Sequence, residues 1–117
     1  MKDFRNLKVW EKAHLLTLKI YKLTEQYPRE ELYGLTSQIR RASVSIPTNI
    51  AEGCVRSSDA DFSRFLYIAL GSTSELEYLI LLSKDLKFIK NELQVELNNE
   101  VNEIKKMLIS MIKKIKA

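Results

Sequence analysis

The stretch QIRRASVSIPTNIAEGC at residues 38–54 collects the side chains best suited to chemistry. Two adjacent arginines could bind a phosphate or a carboxylate, Glu52 could transfer a proton, and Cys54 is the only thiol. A proline lies in the middle of what is otherwise a helical pattern. The stretch therefore poses a choice between catalysis, anion binding and architecture.

Catalysis has the weakest support among these three roles. His14 is the only histidine, so neither a histidine-centred triad nor a histidine-rich metal site is available. Cys54 has no histidine near it in sequence, and we interpret it as a small residue at a helix end. No glycine-rich phosphate loop occurs. We predict that the protein is not an enzyme and uses no metal or cofactor.

Apolar residues recur at helical spacing along nearly the whole chain. The pattern predicts helices at about residues 6–27, 33–56, 58–87 and 91–116. Asn6 is the expected N-cap of the first helix, and Ser58 with Asp61 resembles a capping box for the third. Short connections make consecutive helices antiparallel neighbours. The sequence thus predicts one all-α domain over residues 1–117, an up-down-up-down four-helix bundle.

Pro47 predicts a kink in the second helix, because it lacks an N–H and clashes with the carbonyl four residues before it. The neighbouring serines and Asn49 are placed to satisfy freed backbone groups. The alternative is a tolerated kink with no role.

The charges of the same helix lie too far apart to pair with each other. Arg41 and Glu52 are separated by about 16 Å along a helix, and Arg40 lies one residue further away. If the second turn centres near residues 57 and 58, residue i faces residue 115 − i, roughly, in the third helix. We therefore expect Arg40 to face Glu75 and Glu52 to lie near Arg64. A structural role is favoured for these charges, and phosphate contact stays open as the alternative.

The third helix is apolar on more than one face. Besides its core stripe it carries Phe65, Ile68, Leu79, Leu82 and Leu86. A helix in a small bundle needs one apolar stripe, so a second one favours self-association. The alternative is that this helix is simply the most central.

The formal net charge of +4 is unevenly distributed. In the predicted topology one end of the bundle gathers Lys2, Arg5, Lys8, Lys12, Arg56, Lys113, Lys114 and Lys116. The opposite end gathers Glu25, Glu30, Glu31 and Glu92. The basic residues are candidates for salt-sensitive binding of RNA or DNA phosphates. The alternative is that they complement helix dipoles and keep the protein soluble.

The chain carries no signal for a membrane or for export. Its uninterrupted apolar runs, such as residues 78–82, are far shorter than the roughly 20 residues that span a bilayer, and charges are spread through its first ten residues. One cysteine rules out an internal disulfide and fits a reducing compartment. We predict a cytoplasmic protein.

Two segments closely resemble a known family. QIRRASVSIPTNIAEG, followed by FSRFLYIALGSTSELEYLI at residues 62–80, is similar to the four-helix-bundle proteins of the bacterial 23S rRNA intervening-sequence family. LKVWEKAHLL and YPREELYGL resemble that family's first helix and first connection. The characteristic residues carry over as Arg40, Arg41, Ser45, Pro47, Asn49, Glu52, Gly53, Gly71, Ser72 and Glu75.

The resemblance implies a four-helix bundle that assembles into a barrel-like homopentamer. It also implies kinship with the accessory protein of diversity-generating retroelements, which binds nucleic acid and a reverse transcriptase through a basic surface. It supplies no catalytic residue. The expected function is non-enzymatic, oligomeric binding of RNA or DNA, and the alternative is a structural adaptor that recruits a protein partner without touching nucleic acid.

Overall fold

A computed structural model describes residues 2–116 and shows a four-helix bundle 43 Å long. The helices are α1 (Lys8–Thr24), α2 (Leu35–Cys54), α3 (Asp59–Asp85) and α4 (Asn91–Lys116). Short 3₁₀ turns at Phe4–Asn6 and Arg29–Glu31 precede α1 and α2. No strand occurs within the described residues. The predicted all-α fold is confirmed.

The core runs the length of the bundle between all four helices. α1 and α3 each contact both α2 and α4, while the diagonal pairs stay apart. Each helix contributes side chains at helical spacing, among them Leu16, Ile46, Leu66 and Ile104, all at most 1% exposed. Burial of such apolar area is the main favourable contribution to folding, at about 25 cal/mol per Å².

The helix starts show how local chemistry sets the boundaries. Ser58 caps α3 as predicted, because its Oγ accepts a hydrogen bond from the Asp61 N–H at 3.1 Å. Asn6 does not cap α1. Asp3 instead accepts from the Arg5 N–H at 3.0 Å and caps the preceding 3₁₀ turn, so that α1 begins after Leu7 with no side-chain cap.

The end of α3 closes without a glycine. Lys87 adopts the left-handed conformation with φ 66°. Its N–H bonds to the Lys84 carbonyl and the Phe88 N–H bonds to the Ser83 carbonyl, both at 2.9 Å. These two bonds satisfy carbonyls that the last helical turn leaves open, as in a Schellman motif.

Pro47 lies inside α2, which continues as a helix on both sides of it. The predicted kink stays a prediction, but the carbonyl that Pro47 cannot bond has a partner. Ser43 O accepts a hydrogen bond from Thr17 Oγ1 of α1 at 2.9 Å, and the same hydroxyl proton is shared with the Ala13 carbonyl, also at 2.9 Å. Both residues are buried. The neighbouring helix therefore satisfies the freed carbonyl, where we had expected the polar side chains of α2 itself to do so.

α3 is the most apolar of the helices by composition. An 18-residue window in it reaches a mean hydropathy of 1.3, enough in length and composition to cross a membrane. The uninterrupted runs in the sequence did not reveal this, because small polar residues are interspersed. Within the described residues α3 packs between α2 and α4, and we interpret it as the core helix.

The second apolar stripe of α3 divides between the core and solvent. Phe65 and Leu79 are buried and Leu82 is partly buried, whereas Ile68 and Leu86 are 42% and 47% exposed. Two further apolar residues outside that stripe, Tyr78 and Leu81, are 58% and 40% exposed. We call Ile68, Gly71, Tyr78 and Leu81 the outer face of α3.

We expect Thr17→Val to lower the free energy of unfolding by about 1–3 kcal/mol, because it leaves the buried Ser43 carbonyl without a partner. In a Pro47→Ala background the new N–H can bond Ser43 O within α2, so the cost of Thr17→Val should fall below about 1 kcal/mol. Urea unfolding of the four proteins measures this coupling. An equal cost in both backgrounds would contradict the assigned role of Thr17.

Tyr27 is a buried phenol packed 5.3 Å from the ring of Phe88. Its hydroxyl makes no hydrogen bond within the described residues. Burial raises the pKa of Tyr27, and the nearby Ser83 hydroxyl, which itself donates to the Leu79 carbonyl, offsets this only in part.

Because the pKa of Tyr27 is raised in the folded state, the unfolded chain ionises first as the pH rises above about 10. The contribution of the neutral Tyr27 to the free energy of unfolding should therefore be fully present below that pH and decrease above it. We expect Tyr27→Phe to be neutral or stabilising at pH 7 and to lose less stability between pH 9 and pH 11, roughly, than the unchanged protein. Parallel pH-dependent unfolding curves would contradict this expectation.

Candidate nucleic-acid interface

One end of the bundle brings together the start of α1, the α2–α3 connection and the end of α4. The Lys2 N–H bonds to the Cys54 carbonyl at 3.1 Å and ties the N-terminal segment to α2. Lys116 Nζ donates to the Tyr67 hydroxyl at 3.0 Å and joins α4 to α3. We call this region the basic end, since it holds the basic residues predicted to gather there.

Lysines without an ion pair are more numerous at the basic end than at the opposite end, where Lys22, Lys87 and Lys90 also lack one among residues 2–116. Among residues 2–116, no carboxylate lies within 4 Å of the ammonium groups of Lys8, Lys106, Lys113, Lys114 and Lys116. Four of these five were predicted from the sequence. Lys106 was missed, although it precedes Lys113 by seven residues, which is about two helical turns and places both on one side of α4.

A shallow apolar groove of about 390 Å³ lies between α1 and α4 at the basic end. Its apolar lining comes from Leu7, Val9, Met107 and Met111, and its rim carries Lys8, Lys106 and Lys114. Three unpaired cations thus surround one apolar depression.

Two of the predicted binding residues are partly neutralised. Arg5 pairs with Asp3 at 3.2 Å, and Lys12 pairs with Glu103 of α4. Lys19 similarly pairs with Glu100 at 2.9 Å, and this hydrogen bond raises the pKa of Lys19 against a smaller effect of burial. The acidic half of α4 therefore holds lysines of α1, and we expect Arg5 and Lys12 to contribute less to anion binding.

Cations lie over aromatic rings where α3 begins. Lys2 Nζ lies 4.7 Å from the centroid of the Phe62 ring, and the guanidinium groups of Arg56 and Arg64 lie 4.4 and 4.6 Å from that of Phe65. Such contacts contribute roughly 0.5–1 kcal/mol each at exposed sites. They hold these cations on the surface of the basic end.

Arg40 is a structural residue, but its partner is not Glu75. It donates to Thr24 Oγ1 at 2.7 Å and to the Tyr21 carbonyl at 3.3 Å. That carbonyl is one of the last four of α1, which lack the usual N–H donors of the helix, and Thr24 Oγ1 also donates to it at 3.2 Å. No Arg40–Glu75 ion pair exists among the described residues. Arg40 therefore caps the C-terminus of α1.

The register between α2 and α3 explains this difference. Ser45 Oγ and Ser72 Oγ are hydrogen-bonded at 2.8 Å, two residues away from the predicted pairing. Asn49 Nδ2 donates to the Ser45 carbonyl and to its Oγ. Arg41, rather than Arg40, lines a polar groove together with Glu75.

The remaining family residues divide between packing and open surface. A Cβ on Gly53 would lie 2.9 Å from Phe62 Cδ1, so this glycine does permit close approach of α2 and α3. A Cβ on Gly71 would meet nothing within 4 Å, which contradicts the expected close approach within the chain. Glu52 is exposed and does not pair with Arg64, which instead lies 3.5 Å from Asp61.

The residues that could support catalysis are engaged elsewhere. His14 stacks on Trp10 with ring centroids 5.0 Å apart. Cys54 is buried, and burial raises the pKa of its thiol, which disfavours the reactive thiolate. No cluster of three potential metal ligands occurs in the part of the chain that the structure describes.

Fold and surface together define a four-helix bundle with one basic end. The chain belongs to the 23S rRNA-intervening sequence protein family, whose model matches residues 5–110. The crystal structure of a protein with unknown function from the S23 ribosomal protein family of Bacteroides thetaiotaomicron VPI-5482 is 35% identical in sequence, with a TM-score of 0.83. The match covers 90% of this chain and 95% of that one. A comparison with curated proteins found no match. The resemblance noted in the sequence is confirmed, and neither description names an enzymatic activity.

Proposed function

We propose that the protein is a non-enzymatic, cytoplasmic homo-oligomer that binds RNA or DNA through its basic end. The observation that carries the proposal is the set of five lysines without ion pairs at one end of the bundle. Spaced cations of this kind bind a phosphate backbone by releasing its counterions, with little dependence on sequence.

Complementing helix dipoles accounts for only part of this charge. Lysines in the last turn of α4 are favourable there, because the C-terminus of a helix carries partial negative charge. Lys8, however, is the first residue of α1, where the helix carries partial positive charge. Lys106 lies more than two turns before the end of α4. These cations occupy positions that the folding of single helices does not favour.

The outer face of α3 supports self-association. Gly71 lies in the middle of α3 with open space around it, and a glycine there costs about 0.5–1 kcal/mol relative to alanine. Ile68, about one turn before Gly71, and Tyr78 and Leu81, about two and three turns after it, are also exposed. A backbone can approach a glycine closely, so a second copy packing on this face would offset that cost. The homopentamer implied by the family resemblance is the assembly we propose, and it would repeat the basic end five times, so that weak contacts add.

A protein-recruiting adaptor is the second candidate. The apolar groove between α1 and α4 favours it, since methionine-lined surfaces adapt to varied partners. A reverse transcriptase is one such partner by family resemblance. Oligomerisation without binding of naked nucleic acid would favour this candidate over the first.

Binding to a labelled RNA hairpin and a DNA duplex should be detectable by fluorescence anisotropy, with affinity falling steeply between about 50 and 300 mM salt. We expect Lys106/Lys113/Lys114→Glu to weaken binding to both. It should also reduce the slope of log affinity against log salt by about three, because each lysine that contacts a phosphate accounts for about one.

The matched control is Lys22/Lys87/Lys90→Glu, which makes the same charge change at the opposite end. In this control the slope should fall by no more than about half of its fall in the first variant, because those lysines lie away from the basic end. Equal loss in both variants would mean that only net charge matters and would contradict a defined interface.

Gly71→Trp should convert the assembly to a folded chain of 13.6 kDa, measured by light scattering after gel filtration, because the indole blocks close approach on the outer face of α3. Asn99→Trp, at an exposed position of α4, should keep the mass of the unchanged protein. A Gly71→Trp protein of unchanged mass would exclude this face as the contact between copies.

A further inference from the structure

A second hollow at the basic end lies between the first turns of α3 and the last turn of α4. Its volume is about 450 Å³, and most of its lining is apolar. Ala60, Tyr67 and Ile115 form its walls. The Tyr67 side chain is 47% exposed, so its ring is accessible to a ligand in the hollow.

Ser63 gives the hollow a hydrogen-bonding group without a partner. It lines the hollow and is 6% exposed, and its Oγ makes no hydrogen bond within residues 2–116. Serines in helices usually donate to a carbonyl of the preceding turn, as Ser83 does to Leu79 here. A buried hydroxyl left unpaired costs free energy that a ligand with a polar edge would recover.

The charges around the hollow separate a neutral interior from a cationic rim. Lys116 and Arg64 stand at its edge, and Lys116 Nζ lies 5.0 Å from the centroid of the Tyr67 ring. Asp59 lies beside them and disfavours an anion inside the hollow. The arrangement suits a ligand whose flat part is neutral and whose negative charge lies outside.

We propose that this hollow receives one unstacked base of a single-stranded nucleic acid, with Tyr67 beside the base and Arg64 and Lys116 on the flanking phosphates. Stacking of bases on aromatic side chains is the common means by which proteins hold single strands. The proposal rests on the proposed nucleic-acid binding and specifies its ligand as single-stranded. A rotation of the Ser63 side chain about χ1 would bring its buried Oγ into the hollow, where it would supply a hydrogen bond to the base edge.

The test compares a labelled twelve-residue oligothymidylate with an abasic DNA strand of the same length and charge. The unchanged protein should bind the oligothymidylate about tenfold more tightly, which is the contribution of one stacked base. Tyr67→Leu keeps an apolar wall and should bind both strands equally, at the affinity of the unchanged protein for the abasic strand. Tyr33→Leu removes a tyrosine that is 93% exposed and lies far from the basic end, and it should keep the tenfold preference.

The outcomes separate this inference from the proposal on which it rests. Equal affinity of the unchanged protein for both strands would overturn the base site but leave phosphate binding intact. A preference that persists in Tyr67→Leu would also overturn it. Absence of binding to either strand at low salt would overturn both proposals.

Ser63→Ala provides a second readout. Its melting temperature should equal or exceed that of the unchanged protein, because the hydroxyl has no partner in the free state. Its affinity for the oligothymidylate should fall about threefold, which is the part of the tenfold preference that one hydrogen bond supplies, while its affinity for the abasic strand stays the same. Equal affinities of Ser63→Ala and the unchanged protein for the oligothymidylate would overturn the role of this hydroxyl.

Discussion

The hydrogen bond from the Thr17 hydroxyl to the Ser43 carbonyl is the contact on which the packing of α1 against α2 depends. Pro47 leaves that carbonyl without its usual N–H, in an interior where an unpaired acceptor costs roughly 1–3 kcal/mol. The donor comes from α1, whose Thr17 hydroxyl lies beside the Ser43 carbonyl. The N–H that Pro47 lacks therefore favours the position of α1 in which Thr17 lies beside the Ser43 carbonyl. Arg40 fixes α1 against α2 at a second place, the C-terminus of α1, where it donates to the Tyr21 carbonyl.

These two fixed points make the polar residues of α2 architectural. Ser45, Ser72 and Asn49 form a further set of bonds on the side of α2 that faces α3, so α2 is held by specific polar contacts on both flanks. Apolar packing alone tolerates sliding by a helical turn, whereas such bonds are lost when the register changes. With the register fixed in this way, the surface at the basic end has a constant shape, and the two apolar hollows beside the last turns of α4 keep their rims of cations.

Sequence periodicity predicted the four helices to within three residues at each end, because burial imposes the helical period on every one of them. Periodicity could not predict the register of α3 against α2. That register depends on the conformation of the turn at residues 55–58, which carry no periodic pattern. The partner of Arg40 was missed for a related reason, since the pairing arithmetic was applied only to α2 and α3, whereas Arg40 contacts α1. The cap at the end of α3 could not be predicted, because Lys87 occupies the position where a glycine is usual. The hollows depend on side-chain packing across helices, so only their rim charges were visible in the sequence.

The separation of charge between the two ends gives the bundle an electric dipole along its 43 Å axis. Copies placed side by side in the same direction repel each other at the basic end, whereas the opposite end carries charges of both signs. In a ring of parallel copies, the apolar contacts between neighbouring copies must therefore outweigh this electrostatic repulsion. A polyanion laid across the basic ends would remove much of that repulsion. Assembly and ligand binding would then reinforce each other, and added salt would strengthen the ring while weakening its hold on the ligand.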